Sequence, residues 1–260
     1  MNMNINKIIM GTAIITIGVA SLVSCGCSKQ AKDSKEEVVE LQMPKNPFIT
    51  DLYLADPSAH VWEDGRLYVY PSHDVDPPRG CDLMDRYHVY STTDMVNWTD
   101  HGEILNSSQV PWGREEGGFM WAPDCAYKDG TYYFYFPHPS GSDWNSTWKV
   151  GIATSKYPDR DFMVQGYIEG LGDAFAMIDP CVFVDNDGSA YFYYGGGGRI
   201  IGAKLKDNMT EIDGEIVNIQ GLKDYHEGPW VFRRNDLYYL MYADNHQEPG
   251  RGGANQHWFG

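Results

Sequence analysis

The sequence predicts an all-β fold, a β-propeller, on three observations. One strand–turn–strand pattern recurs four times, and further apolar strands separate the recurrences, so each unit holds roughly four antiparallel strands. No segment sustains a helical period. Four-stranded units of this kind pack radially, each covering its neighbour's face. A β-sandwich is the competing architecture, but it would not repeat the same motif four times.

The recurrences run Asp56–Tyr70, Trp121–Tyr135, Asp179–Tyr193 and Glu227–Met241, with turns at Asp64-Gly65, Asp129-Gly130, Asp187-Gly188 and Asn235-Asp236. The turns fall about 50 to 65 residues apart. Such a pair between apolar runs is the strongest short hairpin signal, and both turn residues are expected at positive φ. Tyr87–Ser91 and Trp148–Thr154 read as further strands, each followed by a turn and one more strand, as in the run from Ser91 to Leu105.

Composition excludes several classes. Residues 46–260 carry 15 basic and 32 acidic side chains, a net charge of −17, which nucleic-acid phosphate would repel. All 36 aromatics lie beyond Asn46, and the chain is 42% hydrophobic, so it is not disordered. Acidic and aromatic-rich surfaces suit stacking on a neutral ligand.

Residues 1–24 read as an export leader: Lys7, then an apolar run from Ile8 to Val23 that falls short of a bilayer span. Leu22-Val23-Ser24-Cys25 resembles the lipobox of bacterial lipoproteins, which implies lipidation at Cys25, with Cys27 or a retained anchor helix as alternatives. The expected localisation is extracytoplasmic, with membrane attachment through the lipid alone. Residues 25–45 are polar and form a tether to a domain over 46–260. The sequons at Asn97, Asn106, Asn145 and Asn208 are chance matches if a lipobox lies upstream. Cys81, Cys125 and Cys181 are odd in number and lack metal spacing. Cys125 and Cys181 read as buried thiols, with one disulfide among the three as the alternative.

Asp56 lies eight residues before Asp64, Asp179 eight before Asp187, and Glu227 eight before Asn235. Three units therefore place a carboxyl at the start of the strand that lines a propeller's channel. The second unit places Trp121 there, with Asp124 three residues on. Each acid alone is an ordinary strand-opening turn residue; three in one register are expected to converge. Like charges at close range raise one pKa, which leaves one protonated acid and one ionised base, the pair that breaks a glycosidic bond.

Ala55-Asp56-Pro57-Ser58, the Tyr90–Trp98 run, Trp121-Ala-Pro-Asp124, Ile178-Asp179-Pro180 and His226-Glu227-Gly228-Pro229 together resemble glycoside hydrolase family 43. The resemblance implies a five-bladed propeller and inverting hydrolysis of arabinofuranosides, xylosides or related plant-polysaccharide linkages. It implies Asp56 as the general base, Glu227 as the general acid, and Asp179 as the third acid that raises the acid's pKa and orients it. Inversion asks for base and acid about 6.5 to 9.5 Å apart. Trp121 and Phe119 are the expected sugar-stacking residues. His73 and Asp74 resemble substrate-facing positions in part of the family, or cap a loop. Trp62, Trp98, Trp144, Trp148 and Trp230 are expected to pack between blades.

No cofactor or catalytic metal is expected, although the complete family fold admits a structural Ca2+ near a blade-five His that this sequence lacks. The fourth unit stops at Gly260 before supplying four strands, so the expected propeller is C-terminally incomplete, and as written it should fold poorly or lack activity. A fructan-type five-bladed hydrolase and a non-catalytic, glycan-binding propeller are the alternatives. His226-Glu227 is no zincin, because position 230 is Trp and Pro229 breaks the required helix. Gly195 to Gly198 lacks the Lys-Ser/Thr of a phosphate loop, and no Ser-centred nucleophile elbow is present.

Overall fold

A computed structural model describes residues 45–75, 80–143, 146–171, 177–244 and the backbone of Trp258–Phe259. The leader, Cys25, the tether up to residue 44, Trp144 and Asn145 lie outside the described residues.

Four antiparallel sheets follow one another along the chain. The first holds β1 (Tyr53–Val61), β2 (Leu67–Asp74), β3 (Arg86–Thr92) and β4 (Trp98–Asn106), with a short helix α1 (Gly80–Leu83) between β2 and β3. The second holds β5 (Asp124–Lys128), β6 (Thr131–Pro139), β7 (Trp148–Ser155) and β8 (Met163–Tyr167). The third holds β9 (Cys181–Val184), β10 (Ala190–Tyr194), β11 (Ile201–Leu205) and β12 (Ile212–Asn218). The fourth has three described strands, β13 (Tyr225–Arg234), β14 (Leu237–Asp244) and β15 (Trp258–Phe259). Strand order within each sheet is sequential, and β1 touches β5, β5 touches β9, and β9 touches β13. The first strand of every unit is thus innermost, as a propeller requires, and among the described residues the ring of sheets does not close.

The aromatic run of β6 shows why the fold needs so many rings. Successive strand side chains point to opposite faces, and here both faces are blade interfaces. Phe134 and Phe136 enter the core shared with Tyr70, Tyr87, Leu105 and Met120 of the first unit and its connection. Tyr135 enters the next core, with Phe192 and Tyr194 of the third sheet and Met209 of its β11–β12 connection. Each fully buried ring of this kind contributes roughly 1.5–3 kcal/mol. The hydroxyls of three of these tyrosines reach backbone carbonyls: Tyr70 to Pro158 (2.9 Å), Tyr135 to Met209 (2.8 Å) and Tyr194 to Leu171 (2.6 Å). That removes the cost of an unpaired buried hydroxyl.

The turns differ from expectation at two of four places. Asp129-Gly130 and Asn235-Asp236 are two-residue turns with both residues at positive φ. At Asp64-Gly65 and Asp187-Gly188 only the glycine is left-handed (φ 75° and 82°). There the hairpins use longer loops, 62–66 and 185–189, in which a turn is followed by a left-handed glycine.

The Tyr90–Trp98 run is an Asp-centred turn. The Asp94 carboxylate accepts the amides of Val96 (2.8 Å) and Asn97 (2.7 Å) and the Asn97 side chain (2.8 Å), which hold its pKa well below the usual range. Trp62 lies between the first two sheets, donating to the Tyr70 hydroxyl at 2.9 Å and meeting Tyr132 edge-on. Trp98 does not pack between blades. Its place on the outermost strand leaves it stacked on Phe48, 3.9 Å between centroids, so it anchors the segment leading into the first sheet. Cys125 and Cys181 are buried free thiols and Cys81 is an exposed one.

Candidate active site

A left-handed residue directly before a proline lies at or next to each of the three register carboxyls. Asp56 in β1 and Asp179 before β9 sit in the left-handed region, at φ 46° and 53°, each directly before a proline. A residue preceding proline favours extended backbone, and a left-handed non-glycine residue costs on the order of 1–3 kcal/mol. The β1–β2 register slips between Ala55 and Ser58, around Asp56. The β13–β14 register slips on both sides of Glu227, where Gly228 carries the positive φ (67°) ahead of Pro229. Such breaks release a side chain from the alternation between blade faces and re-aim it.

Electrostatics joins the three. Burial, then the charges of Glu227 and Asp56, push the Asp179 carboxyl well above the usual carboxylate range, against the Gly228 amide that donates to its Oδ2 at 2.9 Å. Tyr225 lies under the pair: burial first, then Asp179 and Glu227, raise its phenol, and its hydroxyl donates to Gly195 O at 2.8 Å. Gly196 leaves room for this packing, since a Cβ there would stand 2.8 Å from Ile178 Cδ1 and 3.6 Å from Glu227 Cβ. His226 Nε2 lies 3.6 Å from Glu227 Oε2.

Trp121 and Phe119 come together, with Trp148 as a third ring. Centroids are 4.8 Å apart for Trp121–Trp148, 5.8 Å for Phe119–Trp121 and 6.2 Å for Phe119–Trp148. Trp121 Nε1 donates to Cys81 O at 2.6 Å, which fixes the indole against α1, and Arg114 covers the Phe119 ring at 4.9 Å. Trp148, expected only as a spacer between blades, is the buried floor beneath these two half-buried rings.

His73 and Asp74 end β2. His73 Nδ1 lies 3.6 Å from Asp85 Oδ1 and its ring 5.7 Å from His88. Asp74 Oδ1 accepts the Val75 amide at 2.9 Å and is close to the Gly80 backbone, where α1 begins. These contacts are those of a capped loop.

Sequence reasoning gave no role to His60 and only noted Asp124. Asp124, fully buried, accepts from His60 Nε2 (2.7 Å) and from the Cys125 amide (2.8 Å) on Oδ1, and from the Val182 amide (2.7 Å) on Oδ2. His60 also stacks on Trp62 and reaches Trp230 of the fourth sheet, 5.1 Å between centroids. Among the described residues no group of three or more His, Cys, Asp or Glu side chains is arranged to hold a metal ion.

Known proteins are similar to this chain in sequence and in structure. A xylosidase/arabinosidase of Bacteroides ovatus is 39% identical over 238 residues, covering 74% of this chain and 70% of its own. Xylosidase/arabinosidase 43A of Humicola insolens is 33% identical over 253 residues, covering 76% and 74%. A crystal structure of a β-xylosidase/α-arabinofuranosidase from a compost microbial metagenome, complexed with xylotriose, superposes with a TM-score of 0.66 at 30% identity, covering 76% of this chain and 72% of that one. The sequence profile of Glycosyl hydrolases family 43 runs from residue 44 to 255, from β1 through β14 and across all three register carboxyls. By that match the chain belongs to glycosyl hydrolases family 43.

Proposed function

We propose that the chain hydrolyses xylosidic and arabinofuranosidic bonds of plant-type polysaccharides or oligosaccharides by single displacement. The observation that carries this reading is the convergence of three carboxyls, from three different sheets, in the field felt by Asp179. Ionised Asp56 takes a proton from water, whose oxygen attacks the anomeric carbon. Glu227 gives its proton to the departing glycosidic oxygen on the opposite face, so the configuration inverts. Asp179 sits against the amide that follows Glu227, holding the acid's strand and keeping a proton within the cluster. The proton gained by Asp56 and the one lost by Glu227 exchange with solvent before the next turnover. Trp121 and Phe119 supply the apolar faces for a sugar ring, and His73 and Asp74 shape the rim at the first sheet.

Names of relatives support the substrate class: xylosidase/arabinosidase for two of them, and bound xylotriose in the crystal structure. The test is incubation with xylotriose and with aryl β-xyloside and α-arabinofuranoside. Release of xylose or arabinose, lost in Asp56→Asn, is expected; no release from any of these substrates contradicts the proposal.

The leader motif extends the reading to location. A lipid on Cys25 tethers residues 46–260 by a polar linker to a bacterial membrane, outside the cytoplasm. Radiolabelled palmitate is expected in the wild-type chain and absent from Cys25→Ala; equal labelling of both contradicts the anchor.

A further inference from the structure

The three catalytic strands are innermost in different sheets, and no continuous ladder joins one sheet to the next. Something else must fix Asp56, Asp179 and Glu227 relative to one another. Asp124 stands where this can be done. It opens β5, between β1 and β9, and its side chain is fully buried. His60, whose Nε2 donates to Oδ1, lies four residues beyond Asp56 on the same strand. Val182, whose amide donates to Oδ2, lies just beyond Asp179 at the start of β9. One carboxylate therefore ties the base strand to the third-acid strand through a sheet that contributes no catalytic carboxyl. The girdle continues to the acid strand: the Val231 amide of β13 donates to Cys181 Sγ of β9 at 3.3 Å.

We infer that Asp124 is a positioning residue, which with His60 sets the spacing of Asp56 against Asp179 and Glu227 without touching substrate. The inference rests on the assignment of those three carboxyls proposed above. Charged donors and acceptors in a dry environment hold geometry tightly, and small misplacements of reacting groups are costly. Other groups facing Asp124 are Cys125, Cys181 and Tyr135, none of which carries a fixed charge.

Asp124→Asn preserves volume but keeps only one accepting oxygen, so it must abandon either the Val182 amide or the His60 and Cys125 donors. His60→Gln removes the β1 arm alone and disturbs the buried site less. Both are assayed in the full chain on xylotriose, with 13C-NMR titration of the Asp179 carboxyl and circular dichroism for folded fraction. Asp124→Asn is expected to lower kcat per folded molecule by roughly 10²-fold with KM within about twofold, and to move the Asp179 titration. His60→Gln is expected to move both in the same direction by less. Unchanged kcat per folded molecule and an unmoved Asp179 titration overturn the inference, in either variant if the other fails to fold. Failure of the parent proposal looks different. Asp56→Asn and Glu227→Gln would then retain turnover, whereas the Asp179 titration would still answer to Asp124→Asn.

Discussion

The Gly228 amide donates to Asp179 Oδ2 at 2.9 Å, and Gly228 is the residue after Glu227. The bulge that presents the acid is thus docked on the third carboxyl, across the boundary between the third and fourth sheets. Asp179 accepts that bond while two other carboxyls press on it, and the consequences are separable.

A carboxyl raised by burial and by like charges binds its proton more tightly in the folded than in the unfolded chain. Its contribution to stability is full below the ordinary Asp range and falls as pH rises towards the elevated folded value. Asp179→Asn removes this burden and keeps an oxygen for the Gly228 amide. We expect Asp179→Asn to melt higher than the wild type at pH 7, with the advantage vanishing below about pH 4, and to lose hydrolysis. Thermal melts from pH 3 to 8 check it; a lower melting temperature at pH 7 contradicts it.

Proton donation matters in proportion to the basicity of the leaving oxygen. Glu227→Gln should depress kcat/KM on xylotriose by about 10²–10⁴-fold. On an aryl glycoside with a good leaving group the loss should be at least tenfold smaller. Equal losses on both substrates would remove Glu227 from the role of general acid.

His138 supplies an independent signature in the second sheet. It is fully buried beside Trp112, and burial, the largest influence, pushes its pKa down to about 4. The unfolded chain therefore binds more protons than the folded one between that value and the ordinary 6.5, and stability is lost as pH falls through this window. The loss is on the order of 3 kcal/mol, opposite in sign to the effect of Asp179. Urea unfolding of His138→Gln should show a flatter pH dependence between 4 and 6.5 than the wild type. Identical slopes would contradict it.

What could be read from residues alone follows the length scale of each interaction. The strands, the four-unit repeat and the three-carboxyl register are local or periodic, and the charges of Asp56 and Glu227 both act on Asp179. The His60–Asp124–Val182 link escaped notice because its members occupy three non-equivalent positions on three sheets, so no repeat announces them. The turn geometry at Asp64-Gly65 and Asp187-Gly188 depends on loop length, which a dipeptide does not specify. The place of Trp98 is not legible in its own strand, because a ring's burial on an outer strand depends on what the preceding segment lays against it, here Phe48. Trp148 reads as a spacer because nothing in its own strand signals that Phe119 and Trp121 converge above it.

Stereochemistry tests the central claim most directly. Proton NMR of xylotriose hydrolysis, recorded before mutarotation, should show the newly released reducing sugar first in the anomeric configuration opposite to that of the bond cleaved. A first-formed product with retained configuration would contradict single displacement by Asp56 and Glu227, and with it the roles assigned to the three carboxyls.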